Sequence, residues 1–389
     1  MNNVPKLRFK EFSGEWQSDK IGNVFKVSAG GDIKSENVSQ IKTSDFPYPI
    51  YANAEKEKGL YGYSNIYKSD ANVVTVSGRG VNIGIAHARL EPFYPIVRLL
   101  VLKPLNESDI KFWEYQLNKL NLFVESTGVP QLTAPQVSSY IVKYPLIQEQ
   151  EKISSFLTSV DTKIEQLTKK EKLLQKYKKG VMQKIFNREI RFKDDTGSEF
   201  CDWEEKELGD LCKVAKSGGT PTSTNQEYYD GDIPFLSISD ITSQGKYLKN
   251  TTKTISQKGI DNSSSWIVPE NTIIYSMYAS VGFVSINKIP LATSQAVINL
   301  ILKDEADTEF IYYYLLDYKK YIHRFIETGT QGNLNAQTVK SLNINLPCLE
   351  EQIKIASFLS SIDSKIEQVQ KQINSTKDLK KALLQQMFI

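Results

Sequence analysis

Residues 149–168 read EQEKISSFLTSVDTKIEQLT, and residues 351–370 read EQIKIASFLSSIDSKIEQVQ. Most positions are identical and most of the rest are conservative exchanges, at an offset of 202 residues (351 minus 149). A period this long is not a solenoid; it is a duplicated unit, and duplication predicts a pseudo-twofold axis. Within the first stretch the apolar positions are Ile153, Leu157, Val160, Ile164 and Leu167; within the second they are Ile355, Leu359, Ile362, Ile366 and Val369. Steps of four and three make a coiled-coil seam, and it continues through Leu174, Val181 and Ile185 and through Ile373, Leu383 and Met387. Pro145 and Pro347 mark the entries. Each predicted helix of about 38 residues is roughly 57 Å long at 1.5 Å per residue. A rod of that length cannot bury its stripe alone, so the two are expected to pair, antiparallel. Glu171, Lys178, Thr376 and Lys380 interrupt the seam and are expected to face a partner.

The repeat extends outward. Leu132, Ala134 and Pro145 face Leu334, Ala336 and Pro347, and Gln183 and Phe186 face Gln385 and Phe388. Leu7-Arg8-Phe9-Lys10 recurs as Ile190-Arg191-Phe192-Lys193, and Trp16 and Gly22 recur as Trp203 and Gly209. Between these anchors the copies match faintly. The order is therefore globular, helix, globular, helix, with near-identical helices and divergent globular parts. The globular parts read as mixed α/β. Strands are predicted over 72–77, 96–102, 271–276 and 296–302, helices over 111–124 and 309–326, and a connector over 192–197.

Composition bounds the function. The chain has 389 residues, 40% hydrophobic and 24% charged, an ordinary globular balance. Forty-eight basic against forty-five acidic residues give +3, so any basic surface is local. One local excess lies at 148–193, with twelve Lys and Arg against six Asp and Glu; it reads as a solvated helix face or as a stripe facing phosphate or a partner. No apolar run approaches the roughly 18 residues of a membrane span, and the N-terminal stretch shows no signal-peptide core. Cys201, Cys212 and Cys348 form no CxxC pair, which predicts a reducing, cytoplasmic setting and no zinc knuckle. No phosphate-binding loop, dinucleotide fingerprint or metal-ligand cluster is present. Asp161-x-Lys163 and Asp363-x-Lys365 resemble a nuclease triplet but fall on the seam helices, where they read as ordinary solvated charges. His87 and His323 lack a placed nucleophile and read as structural. Catalytic residues are therefore none and metal ligands none.

What recurs instead is a set of polar, glycine-containing loops at matching places. Gly30 and Gly31 stand against Lys216, Ser217, Gly219 and Thr220. Ser77, Arg79 and Asn82 stand against Ser276, Tyr278 and Ser280. Gly128 and Gln131 stand against Gln331 and Asn333. Glycine lets backbone approach a ligand and offer N–H groups to phosphate; Arg, Asn, Gln, Ser and Thr read base edges. These residues are the candidate DNA-binding set.

With these features the whole chain resembles the specificity subunit of Type I restriction–modification systems. The double unit carries the resemblance, as do the Pro-x-x-x-Glu-Gln-x-x-Ile helix entries and three strings of the second half. Those strings are Gly218-Gly219-Thr220-Pro221, Asp232-Ile233-Pro234-Phe235 with Ser239-Asp240-Ile241, and Asn287 to Thr293. Many members carry Arg where this chain has Tyr278; Arg79 fits the equivalent place in the first half. The resemblance implies an α+β fold: two pseudo-symmetric mixed α/β target-recognition domains at 1–147 and 191–347. They are joined by long spacer helices at 148–190 and 348–389 that form an antiparallel coiled coil. It implies a non-catalytic subunit for phage defence that reads a split sequence in double-stranded DNA. It further implies docking of two methyltransferase subunits and of restriction/translocase subunits, with S-adenosylmethionine, ATP and Mg²⁺ bound by those partners and no cofactor here. The alternatives are the recognition subunit of a two-gene Type II-like enzyme, a bivalent protein-binding scaffold, and a nuclease with an unseen motif.

Overall fold

A computed structural model describes residues 3–54, 56–120, 122, 131–278, 280–324 and 333–389. The two long helices begin where the sequence places them. They run over Ile147–Phe186 and Leu349–Met387. What fastens each helix to its globular part is the Glu-Gln pair of the entry. Glu149 is 2% exposed and takes the Arg8 guanidinium on both oxygens, at 2.8 and 2.7 Å. Trp16 Nε1 donates to the same carboxylate at 3.4 Å. Gln150 donates to Pro145 O and accepts from the backbone N–H of Asp109, which caps the preceding helix at Ile110–Lys119. The second copy repeats the device: Glu351 is fully buried against Arg191 and Trp203, and Gln352 bridges Pro347 O and Asp307 N.

By packing, the chain divides into two units: residues 1–169 with 369–389, and residues 170–368. Each long helix thus gives one half to each unit. In the first unit, β1 (Gln17–Lys20) precedes an antiparallel sheet of β2 (Phe25–Ala29), β5 (Val73–Val76), β6 (Ala86–Arg89) and β7 (Leu100–Pro104), in the order β2-β7-β5-β6. A smaller sheet holds β3 (Tyr48–Tyr51) and β4 (Leu60–Ser64) between short strands at Val38–Ser39 and Tyr94–Pro95. Helix α1 (Ile110–Lys119) covers the main sheet, and β8 (Ile141–Tyr144) pairs with β1 before the first long helix, α2. In the core, Trp16, Phe25, Phe112 and Trp113 pack with Ile153 and Leu157 of α2 and with Met387 and Phe388. Phe112 stacks on Phe388 at 5.4 Å.

The second unit repeats this plan with one strand more. β9 (Glu204–Glu207) pairs with β17 (Asn343–Leu346). The main sheet holds β10 (Cys212–Ser217), β12 (Tyr247–Leu248), β13 (Ile273–Ser276), β14 (Val284–Asn287) and β16 (Val297–Leu302), in the order β10-β16-β13-β14-β12. β11 (Tyr229–Leu236) and β15 (Leu291–Thr293) form the smaller sheet with strands at Lys253–Ile255 and Ile267–Val268. Helix α3 (Thr308–Tyr318) matches α1, and its Phe310 packs with Trp203, Ile355 and Leu359 of the second long helix, α4.

Inside each unit the two helix halves run antiparallel, and one ion pair fixes their register. Lys380 reaches Asp161 at 2.5 Å in the first unit, and Lys178 reaches Asp363 at 2.5 Å in the second. The offset of 202 maps each pair onto the other. Each aspartate also accepts a tyrosine hydroxyl, from Tyr115 at 2.7 Å and from Tyr313 at 2.6 Å. Asp161 and Asp363 are therefore not ordinary solvated charges. Lys178 and Lys380 are not held for an outside partner, because their partner lies in the same unit. Thr376 bonds back to Gln372 O, and Glu171 accepts from Gln175. Seam residues Ile153, Leu157, Val160, Leu167, Ile355, Leu359, Ile362 and Val369 are buried, with Ile164 and Ile366 partly so.

Three sequence expectations shift; the helix placed at 111–124 runs over Ile110–Lys119. The strand placed at 96–102 begins at Leu100, since Val97 and Arg98 have φ of 52° and 58° and form a left-handed turn. The helix placed at 309–326 ends at Tyr318 and continues as a 3₁₀ turn over Lys319–Arg324. No described helix is long and apolar enough to cross a membrane.

Two expected outcomes follow from this packing. Arg8→Ala leaves Glu149 buried without its counter-charge and is expected to cost roughly 3–5 kcal/mol, read as a lowered urea midpoint. Replacing both partners, Arg8→Met with Glu149→Leu, is expected to recover most of that loss. The second outcome concerns Glu114 of α1. Burial raises its pKa, but His87 and Lys111 hydrogen bonds outweigh that and hold it at about 2. A depressed carboxylate adds stability above the usual carboxylate range and loses it as pH falls toward 2, here about 3 kcal/mol. Glu114→Gln is expected to flatten the acid limb of the stability curve between pH 4.5 and 2.

Candidate nucleic-acid interface

In the first unit four chain segments meet at one end of the main sheet: the end of β2, the β5–β6 loop, the turn before β7, and the segment at Gln131. Asn53 ties them together. Its amide donates to Val97 O at 2.6 Å and its carbonyl oxygen accepts from Gly78 N at 2.9 Å. Val97 N in turn donates to Gly31 O, and Leu132 N to Gly78 O. A β-branched residue at positive φ is a strained conformation that persists only when its surroundings hold it. Val97 is so held, and it keeps its neighbour Arg98 exposed at the rim.

Arg79 and Gln131, 52 positions apart in sequence, face each other across an isolated β-bridge. Gln131 Oε1 accepts from Arg79 Nε at 3.2 Å and from Nη2 at 2.6 Å. That contact occupies one edge of the guanidinium and leaves the Nη1 edge free to form a fork with an acceptor pair. Asn82 lies half-buried in the same loop, whose tip Val81 is 94% exposed. Ser77 is buried, and its backbone closes the loop through Ile85 O and Gly84 N.

The glycines have an internal explanation. A Cβ on Gly30 would lie 2.7 Å from the Pro95 backbone, and one on Gly219 would lie 2.8 Å from Ser264. Their N–H groups donate to Leu99 O and Thr293 O. At these positions glycine permits close packing of backbone on backbone within the unit. Gly31 donates to Pro95 O.

The second unit builds the same end with other side chains. Leu334 N donates to Met277 O where Leu132 N meets Gly78 O, which aligns Tyr278 with Arg79. Tyr278 is 40% exposed and its N–H donates to Ala296 O. Thr220 Oγ1 donates to Gln295 Oε1 at 2.7 Å on the rim. Lys216 is exposed, with its ammonium 5.8 Å from the Trp266 ring centre, and Ser217 O accepts the Trp266 indole N–H. Ser276 is fully buried and bonds Tyr278 O; Ser280 O accepts from Phe283 N. Asn333 is half-buried just before Leu334. Gly128 and Gln331 lie outside the described residues. Sequence reading did not single out Asn53, Arg98 or Gln295. Asn53 and Arg98 join the site only through long-range pairing, but Gln295 lies two residues beyond a string already noted, 287–293.

Among the described residues, no group of three or more His, Cys, Asp or Glu is placed to hold a metal. His87 Nδ1 lies 3.5 Å from the Glu114 carboxylate, away from these loops.

Comparison with known proteins agrees with this doubled plan. A family model, Type I restriction modification DNA specificity domain, matches residues 13–175 and again 201–376. The MjaIX specificity subunit of a Type I restriction enzyme, from Methanocaldococcus jannaschii, is 33% identical over 208 residues, covering 52% of this chain and 48% of that one. The HindI specificity subunit of Haemophilus influenzae is 33% identical over 185 residues, 46% of this chain and 39% of its own length. The chain thus spans about half or less of these two relatives. A solved S subunit of a Type I restriction-modification system from M. genitalium superposes with a TM-score of 0.64 at 18% identity, over 99% of both chains. The chain belongs to the Type I restriction modification DNA specificity domain family and carries that domain twice.

Proposed function

We propose that this chain is the sequence-reading subunit of a Type I restriction–modification complex. Each unit reads one half of a split target in double-stranded DNA through its loop end. Methyltransferase and restriction/translocase subunits dock on the chain and bring S-adenosylmethionine, ATP and Mg²⁺; the chain contributes recognition, not bond-breaking. One observation carries the reading: a common frame presents different side chains at equivalent rim positions. Arg79 with Gln131 stands in one unit, and Tyr278 with the Thr220–Gln295 pair stands in the other. A frame that repeats while its rim diverges is what two separate readouts need. No observation favours the protein-scaffold alternative.

The guanidinium held by Gln131 suits a bidentate guanine contact in the major groove, worth roughly 1–3 kcal/mol. Arg79→Ala is expected to weaken binding to a cognate duplex by that amount while leaving preference at the other half-site unchanged. Gln131→Ala is expected to cost less, since it loosens the arginine without removing it. Competition binding with duplexes randomised at one half-site separates these outcomes; unchanged affinity for Arg79→Ala rejects the contact. Exchange of residues 200–345 for the matching part of a relative is expected to alter one half of the methylated sequence only. Methylome sequencing of a host carrying the exchanged gene reads this, and a change in both halves contradicts modular reading.

A further inference from the structure

The two units differ beside the main sheet. In the second, β12 runs parallel along the outer edge of β14, with Ile286 N donating to Lys246 O at 2.8 Å. Lys246 then drops its ammonium between sheet and helices, onto Tyr313 Oη at 2.7 Å, Ser360 Oγ at 2.9 Å and the Glu309 carboxylate. In the first unit no described strand lies outside β6, the counterpart of β14. A groove of about 960 Å³ lies there, beside His87 of β6 and between α1 and the two helix halves. Its wall repeats the second unit residue for residue at Tyr115 for Tyr313, Thr158 for Ser360 and Asp161 for Asp363.

Two features say what fits there. The first is the edge. Asn118 closes the Ala86 N–H and C=O, at 2.8 and 3.0 Å. Ala88, two residues on and equivalent to Ile286, turns its N–H to the same open side. The second is charge. Lys111 stands where the second unit has Glu309, so the sign at that point is reversed. Glu114 is already met by His87 and Lys111, and Asp161 by Lys380. Lys58 adds to the positive field on Glu114, and Lys377 and Lys381 line the groove with no ion pair among the described residues; the one further lining acid is Glu165, so lysines outnumber carboxylates.

We propose that this groove seats an extended acidic segment of a partner protein, added as a parallel strand on β6 as the chain's own 246–248 is added on β14. Main-chain pairing gives the strand its register, and its carboxylates meet the lysines of α4 and Lys58. The inference is independent of the DNA-reading role.

The test uses the full chain and a fluorescein-labelled octapeptide of alternating glutamate and valine, followed by anisotropy. The wild-type chain is expected to bind it and to ignore the lysine–valine version. The exposed double change Lys377→Glu with Lys381→Glu is expected to weaken binding by about tenfold or more. Ala88→Pro, which removes one edge donor on an edge strand, is expected to weaken it comparably with the thermal midpoint unchanged. Absence of peptide binding at millimolar concentration overturns the proposal. Loss on the lysine changes but none with Ala88→Pro overturns strand pairing. Full competition by an unrelated 20-base-pair duplex, itself released by the lysine changes, assigns the groove to phosphate instead.

Discussion

Everything else in each unit is hung on one buried carboxylate. Glu149 and Glu351 sit at the first turn of their helices, away from water, and each is neutralised by an arginine from a segment far away in sequence. A buried ion costs several kcal/mol to desolvate, so it persists only where its partner is held in place. Here the partner lies on the chain leading into the globular part, and a tryptophan indole fills a remaining acceptor position. The neighbouring glutamine spans from the entry proline to the N-terminus of α1 or α3. Helix direction, domain orientation and cap are therefore fixed by two adjacent side chains. That is the physical content of the Glu-Gln pair in the repeated entry.

The ion pairs between helix halves act at lower stakes. The side chains of Lys380 with Asp161 and Lys178 with Asp363 are between 16% and 38% exposed, so screening limits their contribution. Their value is register. A slip of one turn between the halves would part the lysine from the aspartate while leaving apolar residues against apolar residues. Polar groups inside an apolar seam discriminate among alignments in this way.

The helices, their entries and the double unit were legible from sequence because a seam of fours and threes and a fixed offset are local or strictly periodic signals. The loop sets were legible as places, since they recur in order. The partners of the seam charges were not legible: Lys178 falls in phase with leucines, and only the antiparallel register shows that Asp363 stands opposite. The strand expected from Ile96 failed for a related reason. Val97 is a strong strand former by type, yet Asn53 and Gly31 hold it in a left-handed turn, and tertiary contacts override propensity. The open groove had no sequence signal at all, because it arises from a strand that one copy has and the other lacks.

The glycines belong to the frame rather than to the rim. Gly30 and Gly219 are consumed in backbone-on-backbone packing, and Ser77 and Ser276 are buried supports. Changing any of them disturbs the frame. The rim side chains are different in kind: Arg79, Asn82, Lys216, Thr220 and Tyr278 contribute little to either core and are at least partly exposed. Substitution there changes what a loop end presents at small cost to folding, since surface changes away from packed or strained features stay within about 0.5 kcal/mol. A protein built this way holds its helices and sheet frames alike in both copies while its rims diverge. That is the pattern in this chain: the difference between its two copies sits in a few side chains carried on a common frame.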